Sequence, residues 1–347
     1  SGVFEGCKSL TSLDGLKNWN MGNKWLANRM FKDCESLVDI SALASWNTSK
    51  MNNVTEIFSG CRSLIDINAL KNWDISNVGY TTAMFNDCRS IRDLSPLTNW
   101  NMGKVSSAGK MFQNCRSLSD LSPLANWNVG NMKDINDMFA MCISIPNVNA
   151  LSKWDTSSVT NMSGLFGGDE ALSDISGLSN WQTSNVTNIS HMFSSGIDMD
   201  ANQNYYVNNL TNVDALAKWD TSSVTAMYYL FYECRNLSDI SGLANWNTAN
   251  VTSMENVFYN CSLSDLTALA KWDTSKVTTM KEMFYRNYGL RTLNGLQNWN
   301  TAKVVSMNYI FADCRNLKDV SAVSSWKRTS LKYSENAFQN CKASSPW

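Results

Sequence analysis

The sequence has few of the residues on which catalysis and membrane insertion depend. A single histidine, His191, occurs among 347 residues. Glycine-rich phosphate loops, G-x-S-x-G elbows and H-E-x-x-H motifs are all missing from the sequence. We therefore predict that the protein is not an enzyme. No apolar run approaches the roughly 20 residues that cross a bilayer, so we expect no direct membrane insertion of this stretch.

An excess of either charge is also lacking. The chain has 29 basic and 30 acidic residues, which gives a formal net charge of −1. Nucleic acids and anionic lipids attract proteins through a surplus of positive charge. We therefore predict no nucleic-acid partner.

The chain does contain a regular internal repeat. Twelve of its 14 tryptophans recur with a step of 27 residues, apart from one step of 38 and one of 26. They are Trp19, Trp46, Trp73, Trp100, Trp127, Trp154, Trp181, Trp219, Trp246, Trp272, Trp299 and Trp326. All 13 phenylalanines share one phase of this period, and all 10 cysteines follow a phenylalanine by three positions. The repeat unit is F-x-x-C-x-x-L-x-D-[IL]-x-x-L-x-x-W-[ND]-T-S-x-V-x-x-M.

This period predicts a leucine-rich-repeat type of solenoid, since such repeats run from 20 to 29 residues. Apolar residues three apart fit neither a strand nor a sustained α-helix. We predict that residues 1–347 form a single solenoid of about twelve 27-residue coils with short parallel strands, turns and short helical segments. We place strands at 39–41 and 239–241, a short strand or helical turn in the Val-Thr-x-Met arc, and an Asx turn after each tryptophan. Because Phe4 falls within a repeat, we expect both ends to continue in a longer protein.

Two segments carry a resemblance to a known family. They are Leu-Ser-Asp-Ile-Ser-Gly-Leu-Ala-Asn-Trp at 237–246 and Val-Thr-Ser-Met-Glu-Asn-Val-Phe-Tyr-Asn-Cys at 251–261. These segments resemble the BspA-like leucine-rich repeat surface proteins of bacteria, including the related repeats of mycoplasma surface lipoproteins. The resemblance implies an extracellular protein, anchored at the cell surface outside this stretch, that adheres to host matrix proteins, host cells or other bacteria. It implies no catalytic residues.

The repeated polar and aromatic columns each have a structural and a functional interpretation. The cysteines could form disulfides, but stacked side chains run parallel and suit the bridge dihedral poorly, so we expect buried thiols. The tryptophans could stack on sugars or bases, but their phase beside the leucines favours a core role. For the aspartates Asp39, Asp66, Asp93, Asp120, Asp174, Asp239, Asp265 and Asp319, we expect backbone hydrogen bonds or inter-coil ion pairs. The candidate arginine partners are Arg62, Arg89, Arg116, Arg235 and Arg315.

The longer step in the period reflects an insertion at 196–209 that carries a candidate calcium site. The candidate oxygen ligands from the insertion and the preceding coil are Asp198, Asp200, Asn202, Asp169 and Glu170. The pattern departs from an EF-hand loop, since Gln203 replaces the required glycine and Asn209 replaces the bidentate glutamate. We expect a solvated polar loop with Tyr205 and Tyr206 exposed, and calcium binding is the alternative. No other cofactor is predicted.

The main functional hypothesis is an adhesin-like binding module whose partner is a host matrix or cell-surface protein, with a glycan as a further possibility. The alternative is a spacer that holds another domain away from the cell. A binding face should break the repeat consensus at clustered exposed positions, whereas a spacer should vary uniformly. Tyrosines on adjacent coils favour a face, and with the two loop tyrosines the candidate partner-binding residues are Tyr205, Tyr206, Tyr228, Tyr229, Tyr232, Tyr259 and Tyr285.

Overall fold

The computed structural model describes residues 2–19, 25–196 and 207–347. The chain divides into two units, Ser1–Ala171 and Leu172–Trp347, and each is a stack of coils. The prediction of one continuous solenoid over the whole chain stays a prediction.

Short 3₁₀ helices recur from coil to coil, except in the coil that follows Phe284, because apolar residues three apart match the three residues per turn of this helix. In the first unit they are Asp14–Leu16, Ser41–Ser45, Asn68–Leu70, Ser95–Leu97, Ser122–Leu124 and Asn149–Lys153. In the second unit they are Ser176–Leu178, Asp214–Leu216, Ser241–Leu243, Thr267–Leu269 and Ser321–Val323. The leucine or valine of each helix is buried in the core, as Leu43 is, except for Leu16 in the first helix.

The predicted strands at 39–41 and 239–241 are wrong in position. At each place a single bridge residue, Asp39 or Asp239, is followed at once by a 3₁₀ helix. The physical reason is local, because the aspartate carboxylate accepts a hydrogen bond from the N–H two residues later. This distance is 2.8 Å for Ser41 and for Ser241. The bond bends the chain into a turn where alternation of apolar residues alone would allow a strand.

Parallel pairing occurs instead in the Val-Thr-x-Met arc. Strand Trp25–Leu26 pairs in parallel with Met51–Asn53. In the first unit, single parallel bridges then continue through Asn53, Tyr80, Ser107, Asp134 and Asn161. In the second unit, they run through Asn188, Ala226, Ser253, Thr279, Ser306 and Tyr333. Parallel stacking at one residue per coil confirms the predicted repeat solenoid class.

The backbone around each phenylalanine forms a second ladder between coils. Glu56 and Gly60, two positions before and after Phe58, have φ angles of 54° and 78°. These left-handed residues and the phenylalanine between them direct their N–H groups to the next coil. The N–H groups of Glu56, Phe58 and Gly60 donate to Thr82, Met84 and Asn86 over 2.9, 3.0 and 2.7 Å. The same pair of left-handed positions recurs in most coils, as at Tyr229 and Glu233.

The core consists of stacked columns of identical side chains. Phe85, Phe112 and Phe139 are fully buried, and their neighbouring ring centroids lie 5.7 and 5.8 Å apart. Trp100 is 4% exposed, and its indole N–H donates to the carbonyl of Leu70 in the preceding coil over 3.0 Å. The same bond recurs at Trp46, Trp73, Trp127, Trp154, Trp219, Trp246, Trp272, Trp299 and Trp326. The predicted core role is confirmed for the repeat tryptophans from Trp46 to Trp326, whereas Trp19 is 36% exposed.

The cysteines are free thiols packed beside the phenylalanines. The Sγ atom of Cys115 is 3.2 Å from the carbonyl oxygen of Phe85 in the preceding coil, and Cys234 makes the same contact with Phe193 at 3.1 Å. Burial raises the pKa of Cys234 to about 12, so the thiol stays protonated and donates this bond. The prediction of buried thiols is confirmed for eight of the ten cysteines, whereas Cys7 is exposed and Cys341 is partly exposed.

Side chains at the repeated polar positions accept backbone hydrogen bonds in the turns. The Asx turn predicted after the tryptophans is confirmed where a described Asn or Asp follows, as where Asp74 accepts the Ser76 N–H over 2.9 Å. It is not confirmed after Trp181 and Trp326, where Gln182 and Lys327 take that position. The aspartates of the column that contains Asp39 accept the backbone N–H two residues later, as Asp39 does. The backbone N–H of Ser41 holds the pKa of the Asp39 carboxyl below its ordinary value. The arginines pair with other acids. Arg62, for example, contacts Glu35 at 3.3 Å and Asp87 at 2.7 Å.

Candidate functional site

The position directly after the core phenylalanine carries a partly exposed tyrosine in three consecutive coils of the second unit. Tyr232 and Tyr259 stack with ring centroids 4.6 Å apart and an interplanar angle of 26°. Tyr259 and Tyr285 stack at 4.8 Å and 18°. The rings lie over one another because the backbone ladder places equivalent Cα atoms one coil apart. Offset stacking of aromatic rings is favourable beyond the area it buries.

Two further tyrosines extend this row on the neighbouring turn. Tyr229 lies 5.1 Å from Tyr232, and Tyr228 meets Tyr229 edge to face at 6.2 Å. His191, from the coil before the insertion, stacks on Tyr229 with centroids 4.8 Å apart. We call the surface made by Tyr228, Tyr229, Tyr232, Tyr259 and Tyr285 the tyrosine face. The structure therefore brings together the five described tyrosines that the sequence singled out.

A row of polar side chains runs beside the tyrosine face, two positions after each phenylalanine. Glu233 accepts hydrogen bonds from Arg235 Nε at 2.7 Å and from Asn260 Nδ2 at 2.8 Å. Asp313 accepts one from Asn340 Nδ2 at 2.8 Å. These bonds link adjacent coils and fix the backbone from which the tyrosines project.

The hydroxyls of Tyr229, Tyr259 and Tyr285 stay protonated at neutral pH. Burial raises the pKa of Tyr229, Tyr259 and Tyr285 above the ordinary value for tyrosine. A neutral phenol both donates and accepts a hydrogen bond. The face can therefore form polar contacts along its whole row while its rings supply apolar area.

Sequence reasoning missed His191 and the arginines that flank the tyrosines. The guanidinium carbon of Arg286 lies 5.1 Å from the centroid of the Tyr285 ring, and that of Arg315 lies 5.7 Å from the ring of Tyr288. A signal for His191 was present, since it occupies the same phase before Phe193 as Tyr229 does before the next phenylalanine.

The predicted calcium site lies mostly outside the described residues. Asp198, Asp200 and Asn202 fall there, as do the predicted contact residues Tyr205 and Tyr206. Among residues 2–19, 25–196 and 207–347, no group of three His, Cys, Asp or Glu side chains could hold a metal ion. The calcium role of the loop and of Glu170 stays a prediction.

Asp169 occupies the cysteine position of its coil and is fully buried. Its Oδ1 accepts the backbone N–H of Cys142 over 2.8 Å, whereas Oδ2 has no hydrogen-bond partner. Burial raises the pKa of this carboxyl well above its ordinary value, and hydrogen bonds from the Cys142 and Met141 backbone only partly offset the effect. Asp169 is therefore a core residue whose burial favours the neutral carboxyl, placed where other coils have a thiol donor.

Helices long and apolar enough to span a bilayer do not occur in the part of the chain that the structure describes.

The stacked 27-residue coils define a leucine-rich repeat protein. A family model described as "Mycoplasma protein of unknown function, DUF285" matches residues 1–122, 27–148, 114–216, 202–287 and 253–345. These matches span nearly the whole chain, so the chain belongs to this family and is a BspA-like leucine-rich repeat protein. A search of curated proteins found no match.

Several solved structures share the repeat class. A leucine-rich repeat protein from Bacteroides ovatus is 16% identical with a TM-score of 0.41, over 97% of this chain and 78% of that one. A leucine-rich cell surface protein from Faecalibacterium prausnitzii is 16% identical with a TM-score of 0.33, over 90% and 78%. Internalin C2 from Listeria monocytogenes is 14% identical with a TM-score of 0.31, over 67% and 82%. At these TM-scores, none of the likenesses bears on what this chain binds.

Proposed function

We propose that the chain is a non-enzymatic binding module exposed at the bacterial cell surface, and that the tyrosine face contacts a protein partner. The partner class is a host matrix protein, a host-cell protein or a protein of another bacterium. The observation that carries the proposal is the stack of Tyr232, Tyr259 and Tyr285 at partly exposed positions. A spacer has no need for three consecutive surface tyrosines.

The composition of the face favours binding. Tyrosine is enriched at protein interfaces because its ring gives a large contact area and its hydroxyl a polar contact. The rings are already held by one another, so less side-chain freedom is lost when a partner docks. Tyr228, which is 36% exposed, extends the accessible area at one end.

The stacking also favours a protein over a glycan. Sugars dock on a free ring face, but the faces of Tyr259 are covered by Tyr232 and Tyr285. What the row offers outward is ring edges and hydroxyls. Such a surface suits the backbone and side-chain groups of a protein better than the flat face of a sugar ring.

The test is binding of the purified chain to an array of host matrix proteins, glycans and bacterial surface proteins, with calcium and with chelator. The test variant replaces Tyr232, Tyr259 and Tyr285 with serine. The matched control replaces Lys32, Asn86 and Gln113, which hold the same position in the first unit, with serine. We expect saturable binding to one protein, reduced at least tenfold in the test variant and unchanged in the control.

Other outcomes distinguish the alternatives. Absence of binding under all conditions would favour the spacer. Binding to a glycan alone would contradict the protein partner. Loss of binding with chelator would instead support a role for the 196–209 loop.

A further inference from the structure

In the charged pairs beside the tyrosine face, the arginine side chain is exposed and the acidic side chain is largely buried beneath it. The side chain of Arg235 is 46% exposed, whereas that of its partner Glu233 is 7% exposed. Arg286 and Arg315 are 42% and 65% exposed, whereas Asp313, which lies 3.6 Å from each, is 10% exposed. We call Arg235, Arg286 and Arg315 the arginine rim. The formal charges of these pairs nearly cancel, but their exposed members are the cations.

The anions of these pairs are held by several donors. Burial acts to raise the pKa of Asp313, but hydrogen bonds from Asn340 and Tyr285 and the charges of Arg315 and Arg286 outweigh it, and the pKa is lowered. Asp313 therefore remains ionised and fixed below the surface. It anchors the two guanidinium groups without covering them.

The guanidinium groups are also oriented. Arg286 lies over the ring of Tyr285 at 5.1 Å, and Arg315 lies over the ring of Tyr288 at 5.7 Å. Contact with an aromatic face restrains the planar group. A guanidinium carries five N–H donors in a fork that matches a carboxylate. Restraint before binding lowers the ordering cost of that recognition.

We propose that the tyrosine face and the arginine rim together recognise an acidic segment of a protein partner. This inference rests on the proposed function. Arg235 and Arg315 occupy the same position three coils apart, which at roughly 4.8 Å per coil is about 15 Å. About five residues of extended chain span that distance at roughly 3.3 Å each. The segment is therefore a short run with two or three aspartates or glutamates, lying along the stack.

The experiment measures fluorescence anisotropy of a labelled eight-residue peptide, Gly-Glu-Ala-Glu-Ala-Glu-Ala-Gly, titrated with the chain. We expect binding that weakens as salt rises, and at least tenfold weaker binding of the same peptide with glutamine in place of glutamate. Replacing Arg286 and Arg315 with glutamine should lower the affinity at least tenfold. Replacing both with lysine should restore part of it.

The matched control is Arg62→Gln with Arg89→Gln, since these arginines pair with Asp87 in the first unit, away from any tyrosine stack. Circular dichroism of each variant checks that it is folded. Equal binding of the glutamate and glutamine peptides, or binding of neither, would overturn the acidic preference. If a protein from the array still bound through the tyrosines, the proposed function would survive that result.

A labelled heparin oligosaccharide is titrated in parallel. Binding of heparin without binding of the glutamate peptide would overturn the proposal in favour of a polyanion that is not a protein. Failure of the array and of the peptide together would overturn both the proposed function and this inference.

Discussion

The two units share a core but differ at the position after each phenylalanine. In the first unit this column holds Glu5, Lys32, Ser59, Asn86, Gln113, Ala140 and Gly167, and in the second it holds Ser194, Tyr232, Tyr259, Tyr285, Ala312 and Gln339. The phenylalanine and tryptophan columns beneath are the same in both, whereas the cysteine column is interrupted by Asp169 in the first unit and by Gly196 and Asn287 in the second. Because polar, small and aromatic residues all fit on one scaffold, the tyrosines are not required by the fold, and their clustering points to a separate role.

The largest expected effect tests whether the core phenylalanines of the two units contribute equally to stability. Phe112 and Phe258 are fully buried and stacked on both sides in their own units. Replacement of either with alanine removes a large apolar side chain and leaves a cavity, which costs about 3–5 kcal/mol. Urea unfolding followed by tryptophan fluorescence should show losses of similar size. A loss below about 1 kcal/mol in one unit would break the comparison.

A second prediction concerns Asp169, the acid in the cysteine column of the first unit. Asp169→Cys supplies a thiol donor in place of the unpaired Oδ2 and should stabilise the protein by about 1–3 kcal/mol at pH 7. The raised folded-state pKa makes the wild type most stable below the unfolded value of about 3.9, with that stability lost as pH rises through the folded pKa. Urea unfolding from pH 4 to 8 should therefore show a flatter profile for the variant.

The control for this prediction is Asp155→Asn, an exposed acid of the same unit. Its pKa is lowered, first by the Ser157 hydroxyl and then by the Ser157 backbone N–H, so its effect on the pH profile has the opposite sign. A pH profile of Asp169→Cys identical to that of the wild type would show that the buried carboxyl is not neutral.

A third prediction transfers the tyrosine stack. Asn86→Tyr with Gln113→Tyr places two tyrosines on adjacent coils of the first unit at the position of Tyr232 and Tyr259. We expect a gain of about 0.5–1.5 kcal/mol from the new ring pair, and a loss of similar size for Tyr259→Ser. Thermal unfolding measures both. If the transferred pair destabilises the first unit, the two scaffolds are not interchangeable.

The smallest expected effect concerns the Asx turns. Asp155→Ala and Asp273→Ala each remove a carboxylate that accepts the N–H two residues later, at 3.0 and 2.8 Å. Both sites are exposed, so each loss should stay below about 1 kcal/mol and be equal in the two units. The contribution is present above the unfolded pKa and lost as pH falls through the lowered folded pKa. Melting temperatures at pH 7 and pH 2 check this.

The repeat class and the core were predictable because their signal is summed over many coils. Tryptophans that recur at one position of the period indicate a buried environment that repeats from coil to coil. The position of the strands was not predictable in this way. A single hydrogen bond from the Ser41 N–H to the Asp39 carboxylate decides the local structure there, and the spacing of apolar residues does not predict it. The left-handed residues were also hidden, since Glu56, Tyr229 and Asn256 all occupy them.

The candidate site was predictable in part. Tyr232, Tyr259 and Tyr285 share one phase, so their proximity followed from the period. The stacking of His191 on Tyr229 required the period to be carried across the insertion. The exposure of Arg286 and Arg315 above Asp313 depends on side-chain conformations that no spacing rule describes.

The cysteine column gives this protein a native set of chemical probes. A thiol-alkylating reagent reaches the exposed Cys7 without any opening of the fold, whereas Cys115 becomes accessible only when its own coil separates from the preceding one. Alkylation rates resolved residue by residue by mass spectrometry would therefore record fraying along each stack, with no label introduced. The order of reaction would show where a coil first detaches under load or on partner binding.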